Sequence, residues 1–170
     1  MPILTQTYSA NTAITLDLSV LATSSTGVGG RESTQIDNTS TQYMDVLVQG
    51  KVILGHASTA PAVGQQIVVY VWGADTSLAT TSIDTLVGTD AARTLAHAGV
   101  LANLRWAATA AVTEATAGLG YYFLPFGVAA LFGGTMPKFW GLYVTHNHNG
   151  VLAASMSGKF SFNGITFTST

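Results

Sequence analysis

Residues 45–55 read DVLVQGKVILG, and this stretch decides the fold class. Its even-numbered positions carry the apolar side chains Val46, Val48, Val52 and Leu54, whereas the odd-numbered positions include an acid, an amide and a lysine. Successive side chains of a β-strand point to opposite faces of the sheet. The alternation therefore predicts a strand with one buried face and one face in water.

The same signal recurs along the chain. Residues 14–20 and 104–113 also alternate between apolar and polar side chains, and in the second stretch Trp106 is predicted on the apolar face. With the aromatic run at 121–123, the sequence offers about seven or eight short strands separated by turn residues. This pattern predicts an all-β protein, an antiparallel β-sandwich or jelly roll.

Two segments, residues 67–72 and 139–144, are apolar on both faces. A strand buried on both faces lies inside a layered core or beneath a neighbouring subunit. If a neighbouring subunit covers these strands, their aromatic side chains are candidate interface residues. If the strands lie inside a layered core, a loop of the same chain covers the outer face. An alternative is a sugar-stacking platform formed by Trp106 together with Tyr70, Trp72, Trp140 and Tyr143, although aromatic side chains on the strands of a sandwich more usually belong to the core or to an interface. The candidate interface residues are Tyr70, Trp72, Phe139, Trp140 and Tyr143.

The domain organisation is predicted to be simple. A length of 170 residues fits one domain with its own core. We expect an extended N-terminal arm at residues 1–12 and a single β-sandwich domain at residues 13–170. The polar, Gly-rich segment 23–41 is predicted to be a long loop, or an arm that orders on contact.

Helices are predicted in two places only. Residues 91–97 are the one plausible short helix, and residues 128–132 could form a single helical turn. Near the end of the chain the apolar side chains change face, from Phe160 and Phe162 to Ile165 and Phe167. Because Asn-Gly separates the two pairs, we expect a bulge or a tight turn there.

Charge is scarce in this chain. There are six Lys and Arg, eight Asp and Glu, and 48% hydrophobic residues, whereas about a quarter of a soluble domain is usually charged. No apolar run approaches the roughly 20 residues that span a bilayer as a helix. The deficit therefore predicts that other protein covers much of the surface, in a homo-oligomer for which dimer and trimer both fit. A net charge of −2 without a basic cluster predicts no nucleic-acid partner.

The sequence predicts no enzyme. It contains no cysteine, no nucleophile motif and no pair of carboxylates that the sequence brings together. His146 and His148 have the spacing that puts two side chains on one face of a strand. Two imidazoles without a carboxylate make a poor divalent-metal site, so the Asn-Gly that follows them favours a polar turn. We therefore expect no catalytic residue, no metal and no cofactor.

Three blocks of the sequence carry a resemblance to a known group of proteins. They read DVLVQGKV at 45–52, IVVYVWGAD at 67–75 and FGVAALFGGTMPKFWGLYV at 126–144, and the third is the most specific. The chain resembles, over roughly residues 40–165, small virion structural proteins of tailed bacteriophages, including jelly-roll head-decoration (cement) proteins.

The resemblance implies a location and a partner. It implies a β-sandwich, made in the host cytoplasm, that binds the major capsid protein on the outer surface of the virion and stabilises the shell. The N-terminal residues fit this location, since they lack the basic and apolar segments of a secretory signal. No membrane partner is expected. Because similar β-domains occur in phage tails, a receptor- or glycan-binding module of a tail or fibre is the alternative.

Overall fold

A computed structural model describes residues 3–55 and 60–169 of the chain. Within these ranges the chain forms eleven strands, one turn of α-helix and one short 3₁₀ helix. Neither helical segment is long and apolar enough to cross a bilayer. The strands are β1 (Leu4–Tyr8), β2 (Thr12–Ala13), β3 (Gly29–Glu32), β4 (Ile36–Asp37), β5 (Asp45–Ile53), β6 (Gln66–Ala74), β7 (Ala91–Thr94), β8 (Arg105–Ala111), β9 (Gly120–Gly127), β10 (Phe139–His146) and β11 (Phe160–Ser169); the α-helix is α1 (Val128–Leu131) and the 3₁₀ helix is Ala98–Asn103.

The strands build two antiparallel sheets. One has the order β1-β11-β5-β9, with β2 beside β11, and the other has the order β7-β3-β10-β6-β8, with β4 beside β10. The predicted all-β sandwich is confirmed. The strand count exceeds seven or eight because five strands, β1, β2, β3, β4 and β7, lie in segments that the alternating pattern does not identify.

The main core lies between the two sheets. Val46, Val48 and Val52 of β5 are fully buried there, as the alternation of residues 45–55 predicts. Trp140 of β10 meets Phe162 of β11 edge to face, with ring centroids 5.4 Å apart. Burial of a large apolar side chain contributes about 1.5–3 kcal/mol, so this layer supplies most of the stabilisation of the sandwich.

A second, smaller core covers the outer face of the six-stranded sheet. Trp72 of β6 and Tyr143 of β10 point away from the main core, yet both are fully buried. The connection between β6 and β8 folds over them and contributes Leu78, Leu86 and Leu95. The loop interpretation of the doubly apolar strands therefore holds for this face of the sheet.

The prediction of one long loop or arm at residues 23–41 is wrong in part, because two strands lie within this segment. The segment contributes β3 and β4, and β3 lies between β7 and β10 in the six-stranded sheet. Gly30 allows this close packing, because a Cβ there would lie 2.6 Å from Cζ of Tyr143. Sequence composition misses the strand because β3 reads Gly-Gly-Arg-Glu, without the apolar residues typical of strands, and its Gly30 packs against the ring of Tyr143.

Two of the alternating stretches differ from their predicted form. Residues 14–20 are alternately buried, but they form only an isolated bridge between Asp17 and Ser157 rather than a strand. In β8 the pairing with β6 shifts by one residue between Val69 and Tyr70. This bulge turns Trp106 to the outer face, where it is exposed, so its predicted place on the apolar face is wrong.

The local predictions have mixed outcomes. The helical turn at 128–132 is confirmed as α1, whereas the helix predicted at 91–97 is wrong, because Ala91–Thr94 is β7 and pairs with β3.

The change of face near the end of the chain does not come from a bulge, because the register between β11 and β5 continues through Asn163 without a shift. Gly164 stays on the inward side, where the ring of Tyr43 covers it, and Ile165 belongs to the opposite face.

Candidate functional site

The two ends of the chain form a β-ribbon. β1 pairs with the second half of β11, from Leu4 opposite Ser169 to Tyr8 opposite Ile165. The pairing between β5 and β11 ends at Ile165, so beyond it β1 is the sole strand partner of β11 in the described chain. We call residues 3–8 and 165–169 the terminal ribbon. Of the arm predicted at 1–12, residues 1 and 2 lie outside the described residues, as do residues 56–59 and 170 of the predicted domain.

One face of the terminal ribbon is apolar and exposed. Leu4, Gln6 and Tyr8 lie on it from β1, and Phe167 lies opposite Gln6 on β11. Leu4 is 68% exposed and Phe167 is 46% exposed. The Gln6 side-chain amide donates a hydrogen bond to the Tyr8 hydroxyl at 2.6 Å, which holds the polar groups of this face together.

Between Leu4 and Tyr8, the other face of the terminal ribbon consists of threonines. The hydroxyls of Thr7 and Thr166 are 2.7 Å apart across the two strands. Next along the ribbon, Thr168 lies opposite Thr5. Each cross-strand threonine pair of this kind stabilises a ribbon by about 0.2–1 kcal/mol. The β1–β11 pairing is thus supported without a hydrophobic layer.

The terminal ribbon carries no charged side chain. The first charged residue of the chain is Asp17 and the last is Lys159. Natural edge strands usually avoid association through charged residues, prolines or bulges, and β1 within Leu4–Tyr8 has none of these. A two-stranded ribbon is marginally stable in water by itself. The geometry therefore suits a ribbon that another protein covers.

The sequence-predicted interface residues are not at this site. Trp72 and Tyr143 are fully buried in the second core, and Trp140 is fully buried in the main core. Tyr70 and Phe139 are half-buried. A partner cannot reach the three buried rings while the chain stays folded, so these five residues do not form an accessible contact surface.

Other large apolar side chains are exposed outside the terminal ribbon. Apart from the terminal ribbon, Trp106 of β8 and both Tyr122 and Leu124 of β9 are strongly exposed. Periodicity identifies strands that are apolar on both faces, but it does not tell which part of the chain covers each face. The signal that could have found the terminal ribbon is the lack of charged residues in both end segments.

The histidine pair is buried rather than placed in a polar turn. His146 ends β10, and its Nε2 lies 2.9 Å from the carbonyl oxygen of Leu21. His148 accepts a hydrogen bond at Nδ1 from the Gly150 N–H at 3.0 Å, and its Nε2 has no partner. In the described ranges no three His, Cys, Asp or Glu side chains come together as a metal site. The pair is therefore part of the interior.

Comparison of the chain with protein-family models, with curated proteins and with solved structures finds no match. The assignment of a function therefore depends on the geometry of the chain and on the resemblance of residues 45–52, 67–75 and 126–144.

Proposed function

We propose that this chain is a structural protein of a tailed-bacteriophage particle, a head-decoration protein that binds the outer surface of the capsid and stabilises the shell. The observation that carries the proposal is the terminal ribbon, which is uncharged, exposed on both faces and apolar on one. The three resembling sequence blocks supply the identity of the partner, the major capsid protein.

Attachment would use apolar burial and backbone hydrogen bonds. Each Å² of apolar surface removed from water contributes about 25 cal/mol, and Leu4, Tyr8 and Phe167 offer such surface on one face of the terminal ribbon. The outer edge of β1 can add as a strand to a sheet of the partner. Because the ribbon is already paired, less conformational entropy is lost on binding than for a disordered arm.

Several copies acting together would strengthen this attachment. We include self-association in the proposal, as a dimer or trimer, since charge is scarce over the whole surface. An oligomer that presents two or three terminal ribbons to neighbouring capsid subunits makes the later contacts intramolecular, which raises the overall affinity steeply. The role is structural, with no catalytic step, nucleic acid or membrane involved.

A receptor- or glycan-binding module of a tail or fibre is the second candidate. It is favoured by the exposure of Trp106 and Tyr122. The burial of Trp72 and Trp140 argues against the stacking platform that the sequence suggested for such a module. The decoration role is preferred because it also accounts for the uncharged ribbon.

The test is binding to capsids of the parent phage that lack this protein. Wild-type protein is expected to bind in copy numbers comparable to those of the capsid subunits, and a Leu4→Glu/Phe167→Glu variant is expected to lose binding. Val63→Glu is the matched control, since Val63 is also an exposed apolar residue outside the ribbon. A few copies per particle, located on the tail, would overturn the decoration role and favour the second candidate.

A further inference from the structure

A polar cleft lies on the outer face of the five-stranded sheet, over the part of β5 that is distant from the terminal ribbon. Its volume is about 470 Å³. The side chains of Gln49, Lys51, Tyr122, Lys159 and Ser161 contribute to its lining. It shares no residue with the terminal ribbon, so both surfaces can be occupied at the same time.

Two lysines lie directly opposite each other in this cleft. The backbone N–H of Lys51 donates to the carbonyl oxygen of Lys159 at 3.1 Å. The preceding cross-strand pair, Gly50 and Phe160, faces the main core, so both lysine side chains belong to the outer face. Like charges directly opposite each other destabilise a sheet. The chain has only six basic residues, and two of them form this pair.

Among the residues that the structure describes, no carboxylate forms an ion pair with Lys51 or Lys159. Arg31 and Arg93 are the basic residues with ion pairs in the described chain, to Asp90 and Glu32 respectively. The residues that line the cleft include no Asp or Glu. The net charge of −2 means that the positive field here is local and not a property of the whole surface. The cleft is thus suited to an anion.

The other lining groups narrow the class of anion. The Tyr122 ring is 73% exposed, and Nζ of Lys51 lies 5.4 Å from its centroid. Gln49 and Ser161 lie opposite each other in register and add an amide and a hydroxyl. Together these groups match a ligand that has a ring face, several hydroxyls and a negative charge.

An extended peptide fits this cleft less well. β5 is paired with β11 on one side and with β9 on the other, so its backbone groups are not free for strand addition. Recognition must therefore use side chains. We propose that the cleft binds an acidic saccharide, with Lys51 and Lys159 on its carboxylate, Tyr122 against a sugar ring, and Gln49 and Ser161 on its hydroxyls.

The experiment is calorimetric titration of the full-length protein with four probes. They are a tetrasaccharide of glucuronic acid, a neutral tetrasaccharide of glucose, a tetraglutamate peptide and inorganic phosphate. We expect saturable binding of the acidic tetrasaccharide, tighter than that of each other probe by about tenfold or more. Added salt should weaken it, because the carboxylate contacts are exposed.

The variants assign the binding to the cleft. Lys51→Met/Lys159→Met should weaken acidic-saccharide binding by about tenfold or more, and Tyr122→Leu should also weaken it. Lys138→Met, which removes a lysine outside the cleft, should leave it unchanged. Thermal unfolding verifies folding, and if the double variant is unfolded, the single Lys51→Gln and Lys159→Gln variants make the same test.

Four results would overturn the inference. They are no binding of the acidic tetrasaccharide, equal affinity for the neutral one, tighter binding of tetraglutamate or phosphate, and unchanged affinity in the lysine variants. The ribbon variant Leu4→Glu/Phe167→Glu should bind the saccharide normally, so a failure of the capsid-attachment proposal does not affect this result.

Discussion

The imidazole rings of His146 and His148 stack in the protein interior, with centroids 4.3 Å apart and 22° between their planes. Burial lowers the pKa of His146, and burial together with the neighbouring His146 lowers the pKa of His148 to about 4. Both rings are therefore neutral in the folded protein at physiological pH.

Stability should fall as the pH drops from about 6.5 towards 4. Between these values the unfolded chain takes up protons on the two histidines while the folded chain does not, so acid favours unfolding. Each unit of pKa difference corresponds to about 1.4 kcal/mol. Urea unfolding at several pH values measures the slope, which should be smaller in His148→Gln.

The exposed His97 provides the control for this slope. His97→Gln should retain the wild-type pH dependence. The pKa values of Asp17 and Asp37 are lowered by hydrogen bonds from Ser19 and Thr39, so their contribution is lost mainly below pH 4, outside the histidine window. Parallel stability curves for wild type and His148→Gln would contradict the histidine explanation.

Glu32→Ala should strongly destabilise the second core. The Glu32 carboxylate is fully buried and accepts hydrogen bonds from Nε of Arg93 at 2.6 Å and from the N–H groups of Val87 and Gly88 at 3.0 Å. Its removal leaves the N–H groups of Val87 and Gly88 without their acceptor, which costs about 1–3 kcal/mol for each buried unsatisfied group, and it also removes the ion pair of the partly exposed Arg93.

Urea unfolding measures the loss, and acrylamide quenching beyond that of the exposed Trp106 reports whether a buried tryptophan becomes accessible. Glu114 is exposed, so Glu114→Ala should change the free energy of unfolding by less than about 0.5 kcal/mol. Similar effects of the two substitutions would mean that Glu32 does not hold the β6–β8 connection in place.

Gly141→Ala should destabilise the fold, whereas Gly120→Ala should be tolerated. A Cβ at Gly141 would overlap the Trp72 ring, while one at Gly120 would meet only Cε2 of Tyr122 at 3.8 Å. Overpacking of this kind costs about 1–3 kcal/mol. Thermal unfolding of the two variants compares glycines that both lie in strands, and equal melting temperatures would contradict the predicted contact.

The β-sandwich was predictable because its inner faces follow the period of two. Val46, Val48 and Val52 show that period, and they are buried as predicted. The strand at Gly29–Glu32 was not predictable, since the roles of its buried Glu32 carboxylate and of Gly30 depend on partners such as Arg93 and Tyr143. These partners are distant in the sequence, so the local sequence pattern does not indicate them.

The burial of Trp72, Trp140 and Tyr143 was not predictable for a related reason. Trp72 and Tyr143 are apolar outward residues, and only the tertiary structure shows that the β6–β8 connection covers them. Leu4 and Phe167 look unremarkable in sequence, because their exposure follows from the register in which β11 extends past β5. Register between distant strands is a property of the whole fold.

The purified protein should form a homo-oligomer. The outer edge of β1 is unpaired in the described chain and lacks the charges that normally prevent edge association. Light scattering at micromolar concentration should give a mass above that of the 17.6 kDa monomer. A clean monomer there would remove self-association from the proposed mechanism.

Attachment to capsids should depend only weakly on salt. Salt screens attraction between charges, and the terminal ribbon has no charged side chain to be screened. Protein bound to capsids should therefore remain bound from low salt to roughly molar salt, as measured by co-sedimentation, while acidic-saccharide binding weakens over the same range. Phe167→Glu should abolish attachment, whereas Lys51→Met and Lys138→Met should leave it nearly unchanged. Release of folded wild-type protein by salt alone, or loss of attachment in the lysine variants, would show that a charged surface and not the ribbon makes the contact.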